Sequence, residues 1–180
     1  MSCDITLGRL EPCKDSVGGI IAIYISNYTS GLLNAPADGG ATFVDEEVTG
    51  FASPLTFYKY DLKGANSFEQ TNENSRDNGT SFWTQTGTIV LKKQDLATRK
   101  EMKLLSYGRP QIIVQDYNGN YYLAGIENGC EVAANTATGA TMGDLNGYNI
   151  TFTGTEKTPA YFVDSTIIGD TTNTVVVVGA

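Results

Sequence analysis

The sequence predicts a mainly β protein that contains one α-helix. Many short segments alternate apolar and polar side chains and are rich in β-branched and aromatic residues, as strands are. Turn-forming Asn, Asp and Gly residues separate these segments. Only the segment after Lys93 has convincing helical periodicity. With 180 residues, of which 41% are hydrophobic, the chain can bury one core, so we expect a single domain over 1–180.

The stretch from Ala65 to Arg109 predicts a short strand, a polar turn, a long strand and then the helix. The turn is Asp77-Asn78-Gly79, because Asn and Gly adopt positive φ at low cost. After the turn, alternate residues divide into a threonine-rich polar set and a more apolar set that contains Trp83, Ile89 and Leu91. We therefore expect the long strand to have one buried face and one hydrated face.

The helix is expected to begin after Asp95, whose side chain suits an N-cap, and to end near Gly108 and Pro110. A helical wheel divides it into an apolar arc, which Glu101 interrupts, and a basic face. The apolar arc contains Ala97, Met102, Leu104 and Leu105, and the basic face contains Arg99, Lys100 and Lys103.

The whole chain predicts about eight strands, with those outside the central stretch near residues 20–28, 55–62, 111–117, 121–126, 130–134 and 148–156. Asn118-Gly119 is a strong signal for a hairpin between two of them. Three segments are expected to lie outside these strands. They are an N-terminal arm (about 1–18), a long loop (about 29–53) with a short strand near 42–48, and a C-terminal extension (about 164–180) that ends in a Val-rich run.

Charge is unevenly distributed along the chain. The net charge of −8 argues against general binding of nucleic acid, which relies on clustered Lys and Arg. Six of the twelve basic residues lie in or beside the predicted helix, whereas an acidic run lies elsewhere. These are either two solvated surface patches or complementary patches on neighbouring copies of the chain. The second interpretation makes six residues candidates for a subunit interface: Arg99, Lys100, Lys103, Asp45, Glu46 and Glu47.

The sequence lacks the patterns of common catalytic and cofactor sites. The absence of histidine removes the commonest general base, the Ser-His and Cys-His pairs and most zinc sites. There is no phosphate-binding loop and no dinucleotide fingerprint. Asp116, Asn118 and Asn120 have the spacing of calcium ligands, but the glycine is misplaced and a hairpin is favoured. We therefore predict no enzyme activity, no catalytic residues, no cofactor and no metal site.

Two further features concern the compartment and the surface. Cys3, Cys13 and Cys130 are odd in number and have no metal-like spacing, so we interpret them as reduced thiols. No signal peptide is visible, and the apolar runs are too short to span a membrane. Ten tyrosines and one tryptophan leave a stacking surface for carbohydrate or bases as an alternative to ordinary sheet packing.

Four segments of the sequence resemble a known class of proteins. They are GRLEPCKDSVGGIIAIYISNY, NSFEQTNENSRDNGTSFWTQTGTIVLKKQDLATRKEMKLL, GRPQIIVQDYNGNYYLAGIENGCEV and GDLNGYNITFTGTEKTPAYFV. Together they are similar to virion proteins of tailed phages, in particular tail tube-type structural proteins of phages and prophages of the Bacteroidetes group. The resemblance covers most of the chain from Gly8 to Val163. It rests on sequence segments typical of strands, a helix and turns, and it includes no catalytic signature.

The resemblance implies a fold of two packed antiparallel sheets with one flanking α-helix, a β-sandwich or barrel of tail-tube type. It also implies a function in the virion. Six copies would form a ring whose inner sheets close into one barrel, and stacked rings would form a tube that conducts DNA during ejection without binding it specifically. The expected partners are other copies and other tail proteins such as the tape measure, terminator or sheath, with assembly in the host bacterial cytoplasm. The alternatives are another virion structural protein (a neck or terminator ring, or a capsid decoration) and a carbohydrate-binding β-sandwich.

Overall fold

The computed structural model describes residues 7–179, which form twelve strands, one α-helix and two short 3-10 helices. The 3-10 helices are Pro36–Asp38 and Ser165–Ile167, and the α-helix, α1, is Leu96–Leu105. The strands are β1 (Ile20–Ser26), β2 (Ala41–Val44), β3 (Glu47–Phe51), β4 (Leu55–Asp61), β5 (Ser67–Ser75), β6 (Thr80–Lys92), β7 (Gln111–Asp116), β8 (Tyr121–Ala124), β9 (Cys130–Ala137), β10 (Gly147–Glu156), β11 (Tyr161–Val163) and β12 (Thr174–Val178).

The strands form two sheets, which confirms the predicted mainly β sandwich with one flanking helix. The smaller sheet is fully antiparallel, in the order β5-β6-β10-β9. The larger sheet has the order β12-β4-β1-β7-β8-β11-β3-β2. It differs from the prediction in being mixed, because β12 pairs with β4 and β11 pairs with β3 in parallel.

The larger sheet buries both of its faces. One face packs against the smaller sheet, where Ile23, Ile25 and Val114 form a core with Ile89 and Phe152. The other face belongs to a second core, in which side chains of central strands pack with side chains of the outer strands and connecting segments. This second core includes Tyr24, Phe57, Ile113, Val48, Leu32 and Ile167. Burial on both faces explains why the sequence of β1 is an almost continuous run of apolar residues.

The local predictions around the central stretch are confirmed. β5 and β6 form the predicted hairpin, and the residues of β6 alternate as expected between the core and the polar face. The side chain of Asp95 accepts a hydrogen bond from the backbone N–H of Thr98 (2.7 Å), so it is the N-cap of α1. The hairpin at Asn118-Gly119 joins β7 to β8.

The loop predicted over 29–53, with its short strand near 42–48, and the predicted C-terminal extension contain more strand structure than the sequence indicates. Residues 41–51 form the β2–β3 hairpin, and residues 174–178 form β12 along β4. The β2–β3 turn contains Asp45 and Glu46 at positive φ instead of the usual glycine, so its sequence carries little turn signal. The pairing of β12 joins segments more than a hundred residues apart, which no local pattern can indicate.

The described part of the N-terminal arm, residues 7–18, has no regular secondary structure and is exposed. Its end is attached to the β7–β8 turn. The backbone N–H of Val17 donates to the side-chain oxygen of Asn118 (3.0 Å), and the Asn118 amide donates back to the Val17 carbonyl (2.8 Å). The remainder of the predicted arm, residues 1–6 with Cys3, lies outside the described residues.

Candidate assembly surfaces

The outer face of the smaller sheet is polar, threonine-rich and acidic. Paired residues across its four strands form rows, one of which contains Glu131, Thr153, Thr86 and Glu69 in register. The hydroxyl of Thr84 donates to the Glu73 carboxylate (3.0 Å) on the same face. The threonines of this face are Thr71, Thr80, Thr84, Thr86, Thr88, Thr151, Thr153 and Thr155, and its acidic residues are Glu69, Glu73 and Glu131.

Basic side chains are nearly absent from this face. Among the residues of β5, β6, β9 and β10 that point outward, the single cation is Lys92, at the end of β6. A polyanion near this surface would therefore meet hydroxyl groups and negative charge instead of the Lys and Arg side chains that bind phosphates. The face suits a surface along which nucleic acid passes without adhering.

Both edges of the smaller sheet are open. β5 and β9 are its outer strands, and no other strand within residues 7–179 pairs with their free sides. Hydrogen bonds occupy both ends of β9. The backbone N–H of Cys130 donates to the carbonyl of Pro110 (2.8 Å), and the Gln94 amide donates to the carbonyl of Ala137 (2.8 Å). Open edges present unpaired backbone groups that can pair with another chain.

The buried polar groups beneath this sheet hold neighbouring loops in place. Gln85 accepts a hydrogen bond from the backbone N–H of Gly125 (3.0 Å) and donates to the carbonyl of Thr158 (3.3 Å). The Glu156 carboxylate accepts from the backbone N–H groups of Glu127 (3.1 Å) and Asn128 (2.8 Å). Such bonds satisfy polar groups that would otherwise destabilise the core.

Burial changes the titration of two neighbouring side chains. It raises the pKa of Glu156, although the hydrogen bonds from Asn128 and Glu127 oppose this effect. Burial, together with the nearby Glu156 charge, also raises the pKa of the Cys130 thiol to about 12. A thiol with so high a pKa stays protonated at neutral pH and is a poor nucleophile.

The basic face of α1 lies in solvent, as predicted. Arg99, Lys100 and Lys103 are all exposed. The predicted apolar arc is only partly correct, because Met102 is buried and Leu105 half-buried, whereas Ala97 and Leu104 are exposed. Helical periodicity identifies an apolar arc, but only the side of the arc that contains Met102 and Leu105 packs in the core.

The acidic run lies at the turn between β2 and β3, with Asp45, Glu46 and Glu47 all exposed. Glu47 pairs with Val44 on one side and with Phe162 on the other. Val44 and Phe162 are themselves 56% and 49% exposed. The turn therefore belongs to a surface that combines three carboxylates with two apolar side chains.

The structure does not bring the basic and acidic candidates together within one chain. The ion pairs among residues 7–179 are Lys59 with Asp61 (3.0 Å) and Lys157 with Glu127 (2.9 Å), and neither includes a candidate residue. The sequence analysis missed the apolar neighbours of the turn. Phe162 lies more than a hundred residues from Glu47 along the chain, so only strand pairing reveals their proximity.

The calcium-like spacing at Asp116 has a structural explanation. The Asp116 carboxylate accepts hydrogen bonds from the backbone N–H groups of Asn118 (2.9 Å) and Asn120 (2.7 Å). Partial burial raises the pKa of Asp116, but the hydrogen bonds from Asn120 and Asn118 outweigh this effect and lower it overall. Within residues 7–179 there is no cluster of three potential metal ligands. The carboxylate shapes the hairpin turn.

The cysteines within residues 7–179 are unpaired, and Tyr122 takes part in aromatic packing. Cys13 is exposed and Cys130 buried, and both are free thiols. Tyr122 packs between Phe68 and Phe162, with ring centroids 6.2 and 4.9 Å away. The contact with Phe162 joins paired strands of the larger sheet, and the contact with Phe68 packs the two sheets together. None of the helices within residues 7–179 has the length and apolar character needed to cross a membrane.

Comparison of the chain with protein-family models, curated proteins and solved structures finds no match.

Proposed function

We propose that this protein is a structural subunit that assembles into rings and tubes through which DNA passes, as in a phage tail tube. The observation that carries the proposal is the smaller sheet, which is antiparallel, open at both edges and covered on its outer face by threonine and glutamate. Open edges permit pairing between copies, and the composition of the outer face suits the wall of a channel for nucleic acid.

The assembly step follows from the geometry of the edges. Pairing of β5 in one copy with β9 in the next would join the smaller sheets into one continuous sheet. The same contact can repeat between every pair of neighbours, because each copy presents one β5 edge and one β9 edge. Heterologous contacts of this kind form a closed ring when the rotation between copies closes. The resemblance of the sequence to tail tube proteins leads us to expect six copies in a ring.

The composition of the outer face supports placing it toward the channel. DNA moving through a narrow tube is retarded by phosphate contacts with Lys and Arg, whose number sets the strength of non-specific binding. The outer face has three glutamates and one cation, at the end of a strand. By contrast, Arg99, Lys100 and Lys103 lie on α1, outside this face.

Electron microscopy of negatively stained protein, over a range of concentration and salt, tests this proposal. We expect hollow rings or tubes with a central hole at high protein concentration. A protein that remains monomeric at every concentration and salt tested would contradict it. Small closed oligomers without a hole would instead favour a decoration protein of the virion surface.

A further inference from the structure

The larger sheet extends past the smaller sheet on the side of the β5 edge. β5 packs over β8 and the segment before β11, where Phe68 contacts Tyr122 and the backbone N–H of Ala160 donates to the Gln70 side chain (2.7 Å). The row of paired residues that contains Tyr122 continues outward through Phe162, Glu47 and Val44. Paired residues point to the same face of a sheet, so these three continue the face on which β5 lies.

This uncovered strip is both apolar and acidic. Val44 and Phe162 are about half exposed, and Glu47 lies between them on the middle strand. Asp45 and Glu46 lie beside it in the turn. Half-exposed apolar side chains next to three carboxylates are typical of an interface in which a polar rim surrounds an apolar centre. We call Val44, Asp45, Glu46, Glu47 and Phe162 the acidic strip.

Helix α1 lies beside the opposite edge of the smaller sheet. It contacts β9, and the residue before its N-cap, Gln94, donates to the last carbonyl of that strand. The hydroxyl of Tyr148 on β10 donates to the carbonyl of Asp95 (3.1 Å) and ties the helix start to the same sheet. The solvent side of α1 carries three cations and Leu104, which is 62% exposed. It therefore also combines charge with apolar surface.

We propose that the acidic strip of one copy is the docking site for helix α1 of the next copy. This inference rests on the proposed pairing of β5 with β9, which places the two surfaces side by side. The three cations Arg99, Lys100 and Lys103 then face Asp45, Glu46 and Glu47, and Leu104 meets the apolar pair Val44 and Phe162. Neither surface has an ionic partner within its own chain among residues 7–179.

The charge pattern also specifies the direction of pairing around the ring. A β9 edge that approached another β9 edge would bring two basic helices together, and two β5 edges would bring two acidic strips together. Both arrangements are disfavoured by like-charge repulsion, whereas β5 with β9 is favoured. Exposed charges act weakly one by one, so the main effect is on selection of the partner edge.

Charge reversal with mutual rescue tests the inference. One variant reverses the helix (R99E/K100E/K103E), and a second reverses the strip (E46K/E47K), leaving Asp45 to keep the turn geometry. At low salt each variant alone should lose at least about tenfold in association constant, measured by sedimentation. An equimolar mixture should co-assemble if the two variants alternate around the ring. The acidic helix of the first variant then meets the basic strip of the second, and the basic helix of the second meets the acidic strip of the first. A third variant, E11K/D38K, changes exposed carboxylates outside both surfaces and should assemble normally.

The outcomes separate this inference from the proposed function. Hollow tubes from wild type and from both charge-reversed variants would overturn the docking inference while leaving the proposed function intact. Loss of assembly that mixing does not relieve would overturn it as well, provided that thermal melts show folded variants. A third outcome is that the two charge-reversed variants co-assemble when mixed, whereas wild type forms only small open oligomers. That outcome would support the docking contact and contradict the proposed tube.

Discussion

The ring of Phe152 on β10 lies directly over the backbone of Gly87 on β6. The two residues are cross-strand partners in the smaller sheet, and the ring occupies the space in which any side chain at position 87 would lie. Phe152 is fully buried and stacks on Phe68, with ring centroids 6.0 Å apart. Three strands of the proposed channel wall are therefore held together by one aromatic side chain that needs a glycine beside it.

Gly87→Ala should destabilise the protein by about 1–3 kcal/mol, the usual cost of overpacking a filled core. The added methyl group overlaps the Phe152 ring, which cannot move without disturbing Phe68. Urea unfolding measures the effect. Thr88→Ala, on the exposed face of the same strand, is the control and should change the free energy of unfolding by less than about 0.5 kcal/mol. Equal stabilities of the two variants would contradict this account of the core.

The titration of Glu156 should lower the free energy of unfolding as pH rises above the ordinary pKa of a glutamate carboxyl. Burial raises its pKa in the folded protein, so the folded state holds its proton more tightly than the unfolded state does. Stability from this group is therefore full below the unfolded pKa of 4.5 and is lost as pH rises toward the raised folded value. Glu156→Gln should remove this pH dependence while keeping an acceptor for the N–H groups of Glu127 and Asn128.

The measurement for Glu156 is the difference in free energy of unfolding between variant and wild type across pH. Other carboxyls, such as Asp116 and Asp170, have lowered pKa values and act in the opposite direction, but they contribute equally to both proteins. The variant should gain stability relative to wild type as pH rises from about 4 to 7. A constant difference over this range would show that Glu156 titrates normally.

Asp95→Ala should weaken assembly by fraying the first turn of α1. The carboxylate accepts from both the backbone N–H and the hydroxyl of Thr98, and these bonds also lower the pKa of Asp95. Their stabilising effect is present at neutral pH and is lost as pH falls through the lowered pKa. Asp95→Asn retains an N-cap acceptor and is the matched control. Circular dichroism and sedimentation should show a loss of helix and of assembly in the Ala variant only.

Reversing charge on the outer face of the smaller sheet should make the proposed channel retain DNA. In the variant E69K/E73K/E131K, three cations replace three carboxylates on the threonine-rich face. We expect duplex DNA to co-sediment with assembled variant at low salt and to dissociate as salt rises, because phosphate contacts release counterions. Wild-type assemblies are the control. Equal retention by both assemblies would place this face away from the DNA path.

Local chemistry explains which parts of the fold could be predicted from sequence. Gly79 and Gly119 stand at hairpin turns with positive φ, and Asp95 stands where a helix begins. Each signal needs only a few neighbouring residues. By contrast, Asp45 and Glu46 adopt positive φ without glycine, and strand β12 obtains its partner from a distant segment. These features depend on the assembled sheet, so the pattern of the sequence did not reveal them.

The charged residues of the candidate surfaces could be predicted from the sequence, but their positions relative to the two sheets could not. Arg99 and Glu47 were both recognised as members of charged patches, and both are exposed. Their positions beside opposite edges of the smaller sheet follow only from how β9 lies against α1 and how β3 pairs with β11. The contribution of Phe162 could not be predicted because its exposure depends on where the smaller sheet ends.

Cryo-electron microscopy of assembled wild-type protein would show directly which sheet lines the channel and which strand edges pair between copies. The account predicts a hollow tube in which the sheet β5-β6-β10-β9 lines the channel, β5 of each copy pairs with β9 of its neighbour, and the threonine-rich face points inward. A tube lined by the larger sheet, or an assembly in which the edges of β5 and β9 remain unpaired, would contradict it.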